Sequence, residues 1–129
     1  MLLPVTLTAA AAAGILTIWL MIRIGAIRRA ENISVGDGGS EPLIRRMRAQ
    51  MNFVETTPFA LFLIAAIELS GKGGGWLAFV AGIFMLGRVA HAFGMDGTFK
   101  QGRFIGTIIT LLTLLGLAVV ATLITMGVM

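Results

Sequence analysis

The chain has 129 residues, of which 57% are hydrophobic and 12% are charged. Because a soluble domain is about 25% charged, most of the surface of this protein should face lipid. The length of the chain suits one compact domain. The absence of cysteine excludes disulfides, thiolate metal ligands and a cysteine nucleophile, and no metal site is predicted. The net charge of +4 could suit nucleic acid, but the basic residues gather where membrane helices would end, so no nucleic-acid partner is expected.

Four apolar segments follow one another along the chain, each close to the ~20 residues that cross the hydrocarbon of a bilayer. They predict an all-α fold, an integral membrane four-helix bundle that forms a single domain over 1–129. The predicted spans are about 2–27, 43–69, 76–95 and 104–128. The first is predicted to be a retained helix rather than a signal peptide, because no Lys or Arg precedes it and it outruns a signal-peptide core.

The connection between the first two spans, "ENISVGDGGSEP", combines a Gly-rich turn with a helix start. Ser40 is the predicted N-cap, with Glu41 and Pro42 in the first turn, where a carboxylate and a missing N–H are both favourable. No P-loop lysine follows the glycines, so a flexible turn is preferred to a phosphate cradle. The other two connections are also short, and no separate domain is expected outside the membrane.

The distribution of Lys and Arg predicts the orientation. Most of these residues flank the first loop or the third, and only Lys72 lies on the other side. The two groups are Arg23, Arg28, Arg29, Arg45, Arg46 and Arg48, and Arg88, Lys100 and Arg103. We therefore predict an integral membrane protein with both termini outside and loops one and three cytoplasmic.

The second span carries an unusual polar face. Arg48, Asn52 and Glu55 are spaced i, i+4 and i+7, which puts them on one side of a helix. An ionised carboxylate at membrane depth costs about 2.5–3.5 kcal/mol, so Glu55 needs a partner. Spacing alone leaves two hypotheses open: a structural ion pair with an arginine of a neighbouring helix, or a ligand site. Pro58 adds a little to the second, because it should kink the helix beside Glu55.

Other predicted spans direct polar groups at the same level. Arg28 and Arg29 end the first span, Arg103 opens the fourth, and the third span bears a further set at i, i+3 and i+7: Arg88, His91 and Met95. A single histidine at this depth is more typical of packing than of ligation. One carboxylate cannot neutralise so many arginines, and an anionic ligand is the simplest counter-charge.

Three stretches, "RAQMNFVETTPF", "RRAEN" and "GRVAHAFGM", together resemble the MAPEG family, the membrane-associated proteins in eicosanoid and glutathione metabolism. The resemblance covers nearly the whole chain, and the Arg-x-x-x-Asn-x-x-Glu pattern is its most specific part. It implies a bacterial-type member of the family, in the bacterial inner membrane, that forms a homotrimer of four-helix protomers surrounded by membrane lipids. It also implies that glutathione, as co-substrate, lies between protomers near the cytoplasmic side and reacts with a hydrophobic small molecule.

The resemblance also implies roles for single residues. Arg103 matches the arginine that stabilises the glutathione thiolate, and it is the predicted catalytic residue. Gln50 would contact the glutathione of the adjacent interface, and Arg28 or Arg29 would hold a glutathione carboxylate. His91 and Met95 stand where several relatives have tyrosines that contact the peptide. The predicted glutathione-binding set is Arg28, Arg29, Arg48, Gln50, Asn52, Glu55, Arg88, His91 and Met95.

The chain departs from the family pattern at Thr56, where many relatives carry a tyrosine, and it has no tyrosine at all. A phenol therefore cannot assist thiol activation. The leading hypothesis is a glutathione-dependent transferase or peroxidase acting on hydrophobic electrophiles. The alternative is a non-catalytic membrane protein of the same fold that binds lipid or glutathione. A small exporter is disfavoured, because such exporters usually need an ionisable residue deep in a span and span one has none. Gly102 and Gly106 are expected to support the trimer through close helix approach.

Overall fold

The computed structural model describes residues 2–129, which form four α-helices and no strand. The helices are α1 (Pro4–Glu31), α2 (Glu41–Leu69), α3 (Gly75–Asp96) and α4 (Lys100–Thr125). All four are long and apolar enough to cross a membrane, which confirms the predicted all-α class. α1 and α4 each extend about one turn beyond the predicted spans at the arginine-rich end, because charged residues there can stay helical while their side chains reach the headgroups.

The ends of the helices follow local chemistry. The Ser40 hydroxyl accepts a hydrogen bond from the Leu43 backbone N–H at 3.3 Å, which confirms the predicted N-cap of α2. Asn32 ends α1 and Gly97 ends α3, both in the left-handed conformation with φ of 58° and 86°. α2 continues through Pro58 to Leu69 as one helix.

The helices alternate in direction, so loops one and three lie at the same end of the bundle. α2 and α3 are central: α1 packs on both of them, α4 packs on both of them, and within residues 2–129 α1 and α4 do not contact each other. The core between the helices includes the fully buried Ile64, Leu77 and Phe84. Large apolar side chains such as Phe62 and Leu115 are exposed on the outside, as expected where the surrounding medium is lipid.

Glycines bring α3 and α4 into backbone contact. A methyl group on Gly106 would lie 2.5 Å from the carbonyl oxygen of Gly87 and 2.6 Å from Cβ of His91. One on Gly94 would collide with the backbone of Arg103, and one on Gly102 with the carbonyl of Ala90. The sequence-based expectation that Gly102 and Gly106 serve contacts between protomers is therefore wrong. Both are buried inside one protomer, because α3 and α4 are joined by a loop so short that they must pack side by side.

The end opposite the arginine-rich end is held by a carboxylate. Glu68, in the last turn of α2, accepts hydrogen bonds from the backbone N–H groups of Val5 and Thr6 at 2.9 and 2.8 Å. These groups belong to the first turn of α1 and have no partner within their own helix. The negative charge also faces the positive end of the α1 dipole. Glu68 thereby fixes the start of α1 against the end of α2.

Candidate functional site

A groove with a volume of about 470 Å³ lies between α2 and the junction of α3 with α4, at the arginine-rich end. We call it the basic groove. Its lining residues are Glu41, Ile44, Arg45, Arg48, Gly94, Met95, Gly97, Lys100 and Arg103. The one carboxylate is already engaged, since Arg45 Nε lies 3.4 Å from Glu41 Oε1. The remaining positive charge makes the groove a site for an anion with more than one acidic group.

The structure brings Arg48, Met95 and Arg103 together in this groove, three of the residues that the sequence singled out. Met95 is buried and supplies an apolar wall, whereas both arginines are exposed. Within residues 2–129 neither guanidinium takes part in an ion pair. Two permanent charges that no acidic residue of the protomer neutralises are therefore available to a ligand.

Arg88 lies in the core rather than in the groove. Only 4% of its surface is exposed, and its guanidinium donates hydrogen bonds to Oδ1 of Asn52 and, at 3.1 Å, to the backbone oxygen of Gly106. The guanidinium carbon also stands 5.9 Å from the ring of Phe84. These contacts join α2, α3 and α4 through dipoles, with no carboxylate. His91, one turn further, is likewise buried beside Gly106.

The sequence left open an ion pair between Glu55 and an arginine of a neighbouring helix, and residues 2–129 contain no such pair. Glu55 is exposed and forms no ion pair within residues 2–129. Instead, Asn52 links α2 to Arg88. The neighbouring Thr56 donates a hydrogen bond from its hydroxyl to the Asn52 backbone oxygen at 2.8 Å. Gln50 is half-buried on another side of α2.

Arg28 and Arg29 belong to a second, separate groove of about 380 Å³ near the first loop. Arg28 donates hydrogen bonds to the backbone oxygens of Gly36 at 2.7 Å and Ile33 at 3.4 Å, so it holds the loop in place. Arg29 is exposed. Neither arginine lines the basic groove of its own protomer.

The predicted set omitted two cations of the basic groove, Arg45 and Lys100. Each stands three residues before an arginine that was included, Arg48 and Arg103 respectively. Because residues i and i+3 lie on one face of a helix, this spacing was a usable signal. Lys100 was missed because the fourth helix was expected to begin after it.

The matching family model is that of the MAPEG family, and it matches residues 6–123. The chain belongs to the MAPEG family. Among curated proteins, this MAPEG chain is similar to inner membrane protein YecN of Escherichia coli strain K12 and of strain O6:H1, each 33% identical over 69 residues. The match covers 53% of the chain and 52% of each relative, so the chain spans about half the length of the curated relatives it matches. No solved structure matches it. The family and the inner-membrane relatives agree with four membrane-spanning helices.

Proposed function

We propose that this MAPEG protein is a glutathione-dependent membrane transferase and peroxidase that acts on hydrophobic electrophiles. The observation that carries the proposal is the pair of free guanidinium groups, Arg48 and Arg103, in one groove beside the buried Met95. Family membership narrows the class of anion, because the family includes glutathione-dependent transferases as well as non-catalytic members.

Glutathione fits the charges of the basic groove. It carries two carboxylates, which arginines bind bidentately, one ammonium group and one thiol. Arg48 and Lys100 are suited to the carboxylates, since Arg45 is paired with Glu41. Arg103 is then left for the thiol, whose pKa of about 8.5 in a free cysteine leaves only a few per cent as thiolate at pH 7. A guanidinium lowers that pKa because it stabilises the anion, and its own charge is permanent.

We propose that the glutathione site is completed by a second copy of the chain, within a homotrimer. Glu55 faces outward from the membrane-spanning α2 without an ion pair in the protomer, and an ionised carboxylate facing lipid costs about 2.5–3.5 kcal/mol. A neighbouring protomer with its bound glutathione would supply the missing cation, the glutathione ammonium. Gln50 and the Arg28–Arg29 pair also lie outside the basic groove of their own protomer and would serve the neighbouring one. Native mass spectrometry in detergent should give a trimer; a stable monomer or dimer would contradict the shared site.

Two reactions follow from a bound thiolate. With an aryl halide, the sulfur forms a bond to carbon and the halide leaves with the bonding electrons. With a lipid hydroperoxide, two glutathione molecules are oxidised to the disulfide while the hydroperoxide is reduced to an alcohol and water. In both reactions the task of Arg103 is to stabilise the sulfur anion, and the hydrophobic partner arrives from the bilayer.

The direct test is turnover of glutathione by the purified protein with a generic aryl halide and, separately, a lipid hydroperoxide. Arg103→Leu is compared with Lys72→Leu, which removes an exposed cation from the other end of the bundle. We expect turnover in the wild type and in the Lys72 variant and a large loss in the Arg103 variant. No turnover of either substrate by the wild type would refute catalysis, and equal activity in both variants would refute the role of Arg103.

A non-catalytic binding function is the second candidate, and two observations favour it. The chain has no tyrosine, and the hydroxyl of Thr56, in the position of the usual tyrosine, is hydrogen-bonded to the backbone of Asn52. That hydroxyl is therefore not free to assist a thiol. Glutathione binding by isothermal titration without turnover of either substrate would select this candidate over the transferase.

A further inference from the structure

Asp96, the last residue of α3, forms ion pairs with arginines from two other helices. One carboxylate oxygen pairs with Arg23 of α1, and the other lies 3.5 Å from Nε of Arg46 of α2. The three side chains are largely shielded, with exposed fractions of 16%, 13% and 24% respectively. The end of α3 is thus joined to both neighbours on the side away from α4.

Further contacts hold Arg23 and Arg46, the two partners of Asp96, in place. The guanidinium carbon of Arg23 lies 4.6 Å from the ring of Trp19 and 5.2 Å from the ring of Phe93, whose centroids are 5.5 Å apart. Arg46 also donates a hydrogen bond, at 2.6 Å, to the backbone oxygen of Arg23. A guanidinium held against aromatic rings and within a bonded network loses little additional freedom on pairing. The network therefore behaves as a rigid unit rather than as a flexible surface ion pair.

This network adjoins the basic groove, whose first wall is formed by α3 with α4 and whose second wall is formed by α2. Asp96 and Arg46 line a neighbouring groove that shares Glu41 and Arg45 with the basic groove. Along the first wall, the close contact of Gly94 with the backbone of Arg103 couples the end of α3 to the start of α4. The Asp96–Arg46 ion pair therefore connects α3, in the first wall, to α2, which forms the second wall.

We propose that Asp96 is a positioning residue, which sets the separation of Arg48 and Arg103 so that both can bind one anionic ligand. The inference rests on the proposed function, in which that ligand is glutathione. Two charges that must act on one small molecule need to be held within about 0.5 Å of the productive geometry. The two arginines that neutralise Asp96 also prevent its charge from repelling the ligand.

Electrostatics and positioning predict opposite results when this carboxylate is removed. Asp96→Asn removes a negative charge close to the groove, so a purely electrostatic effect would tighten the binding of an anion. Loss of positioning would weaken it. The control is Asp37→Asn in the exposed first loop, which makes the same change in net charge and keeps the acceptor oxygen for the Gly39 N–H.

The first measurement is glutathione affinity by isothermal titration, with KM and kcat measured in parallel. We expect Asp96→Asn to weaken binding and raise KM by at least about tenfold, Asp96→Glu to recover part of the loss, and Asp37→Asn to match the wild type. Circular dichroism and native mass spectrometry check that each variant keeps its helices and assembly. Unchanged or tighter binding in Asp96→Asn would overturn the inference.

A second measurement needs no ligand and separates the inference from the proposed function. The chain has no cysteine, so spin labels can be attached to Pro42→Cys and Gln101→Cys, which flank the two walls and are exposed. Double electron–electron resonance is recorded with excess unlabelled chain, so that one labelled copy dominates each assembly. Asp96→Asn should broaden the distance distribution, and an unchanged distribution would refute the positioning role. If the wild type binds no glutathione, the proposed function fails, and this distribution alone decides whether Asp96 sets the groove.

Discussion

Replacing Gly106 with alanine tests the contact between α3 and α4. The added methyl group would lie 2.5 Å from the Gly87 oxygen and 2.6 Å from Cβ of His91, whereas ordinary contact begins at 3.4 Å. The shortfall at the oxygen is 0.9 Å (3.4 − 2.5). Both obstacles belong to α3 rather than to the end of a flexible side chain, so α4 must move away as a whole.

Two effects of Gly106→Ala contribute to the expected loss of stability. Overpacking at a tight contact costs about 1–3 kcal/mol. Moving α4 also lengthens the 3.1 Å hydrogen bond from Arg88 to the Gly106 oxygen, and a hydrogen bond from a charged group is worth about 1.5–3 kcal/mol. We therefore expect Gly106→Ala to lower the free energy of unfolding by about 2.5–6 kcal/mol, the sum of the two costs.

Gly116 supplies the matched control within the same helix. Nothing lies within 4 Å of a methyl group built there, so Gly116→Ala should be neutral or stabilise by up to about 1 kcal/mol through helix propensity. Unfolding is followed by circular dichroism in mixed micelles as the fraction of sodium dodecyl sulfate increases. Equal stability of Gly106→Ala and wild type, or equal loss in both variants, would refute the backbone contact described here.

Other substitutions address the site and α1. Arg48→Ala and Glu55→Ala should each weaken glutathione binding by about 2–5 kcal/mol while assembly persists; normal binding by an assembled variant would contradict the assignment. Arg103→Leu should abolish the low-pKa thiolate of bound glutathione, which is titrated by ultraviolet absorbance, because lowering the thiol pKa by two units takes about 2.7 kcal/mol. His91→Ala should keep the low-pKa thiolate. An unchanged titration in the Arg103 variant would count against its catalytic role. Glu68→Gln should make the protein unfold at a lower fraction of sodium dodecyl sulfate, because it removes the negative charge at the start of α1. An unaltered unfolding curve would show that this charge contributes nothing.

Composition and periodicity were sufficient to predict the four helices and the start of α2, whereas α1 and α4 extend about one turn beyond the prediction at the arginine-rich end. Length and hydropathy indicated four spans, and Ser40 before Glu41 and Pro42 indicated the start of α2, because these signals act within a few residues of the chain. The side of α2 that carries Arg48 and Glu55 was also predictable, since helical spacing alone determines which residues share a face.

Helical spacing could not predict which neighbouring helix or groove each polar face contacts. Helical spacing grouped Arg88 with His91 and Met95 as one polar set, yet Met95 reaches the groove while Arg88 turns into the core toward Asn52. The decision depends on the rotation of α3 relative to α2 and α4, and the glycines at the α3–α4 crossing set that rotation. Asp96 gave no signal, because its partners come from helices far away in sequence and no spacing rule connects them.

The two ends of α1 are held by different carboxylates, Glu68 at its start and Asp96 near its other end. Near its start, α1 faces α3 across an apolar recess of about 330 Å³ bordered by small residues such as Ala12 and Gly82. Farther along, Leu20 and Ile24 of α1 are buried against the bundle. A motion that opens the space between α1 and α3 would therefore begin in the first turns of α1, and Glu68 is the contact that opposes it.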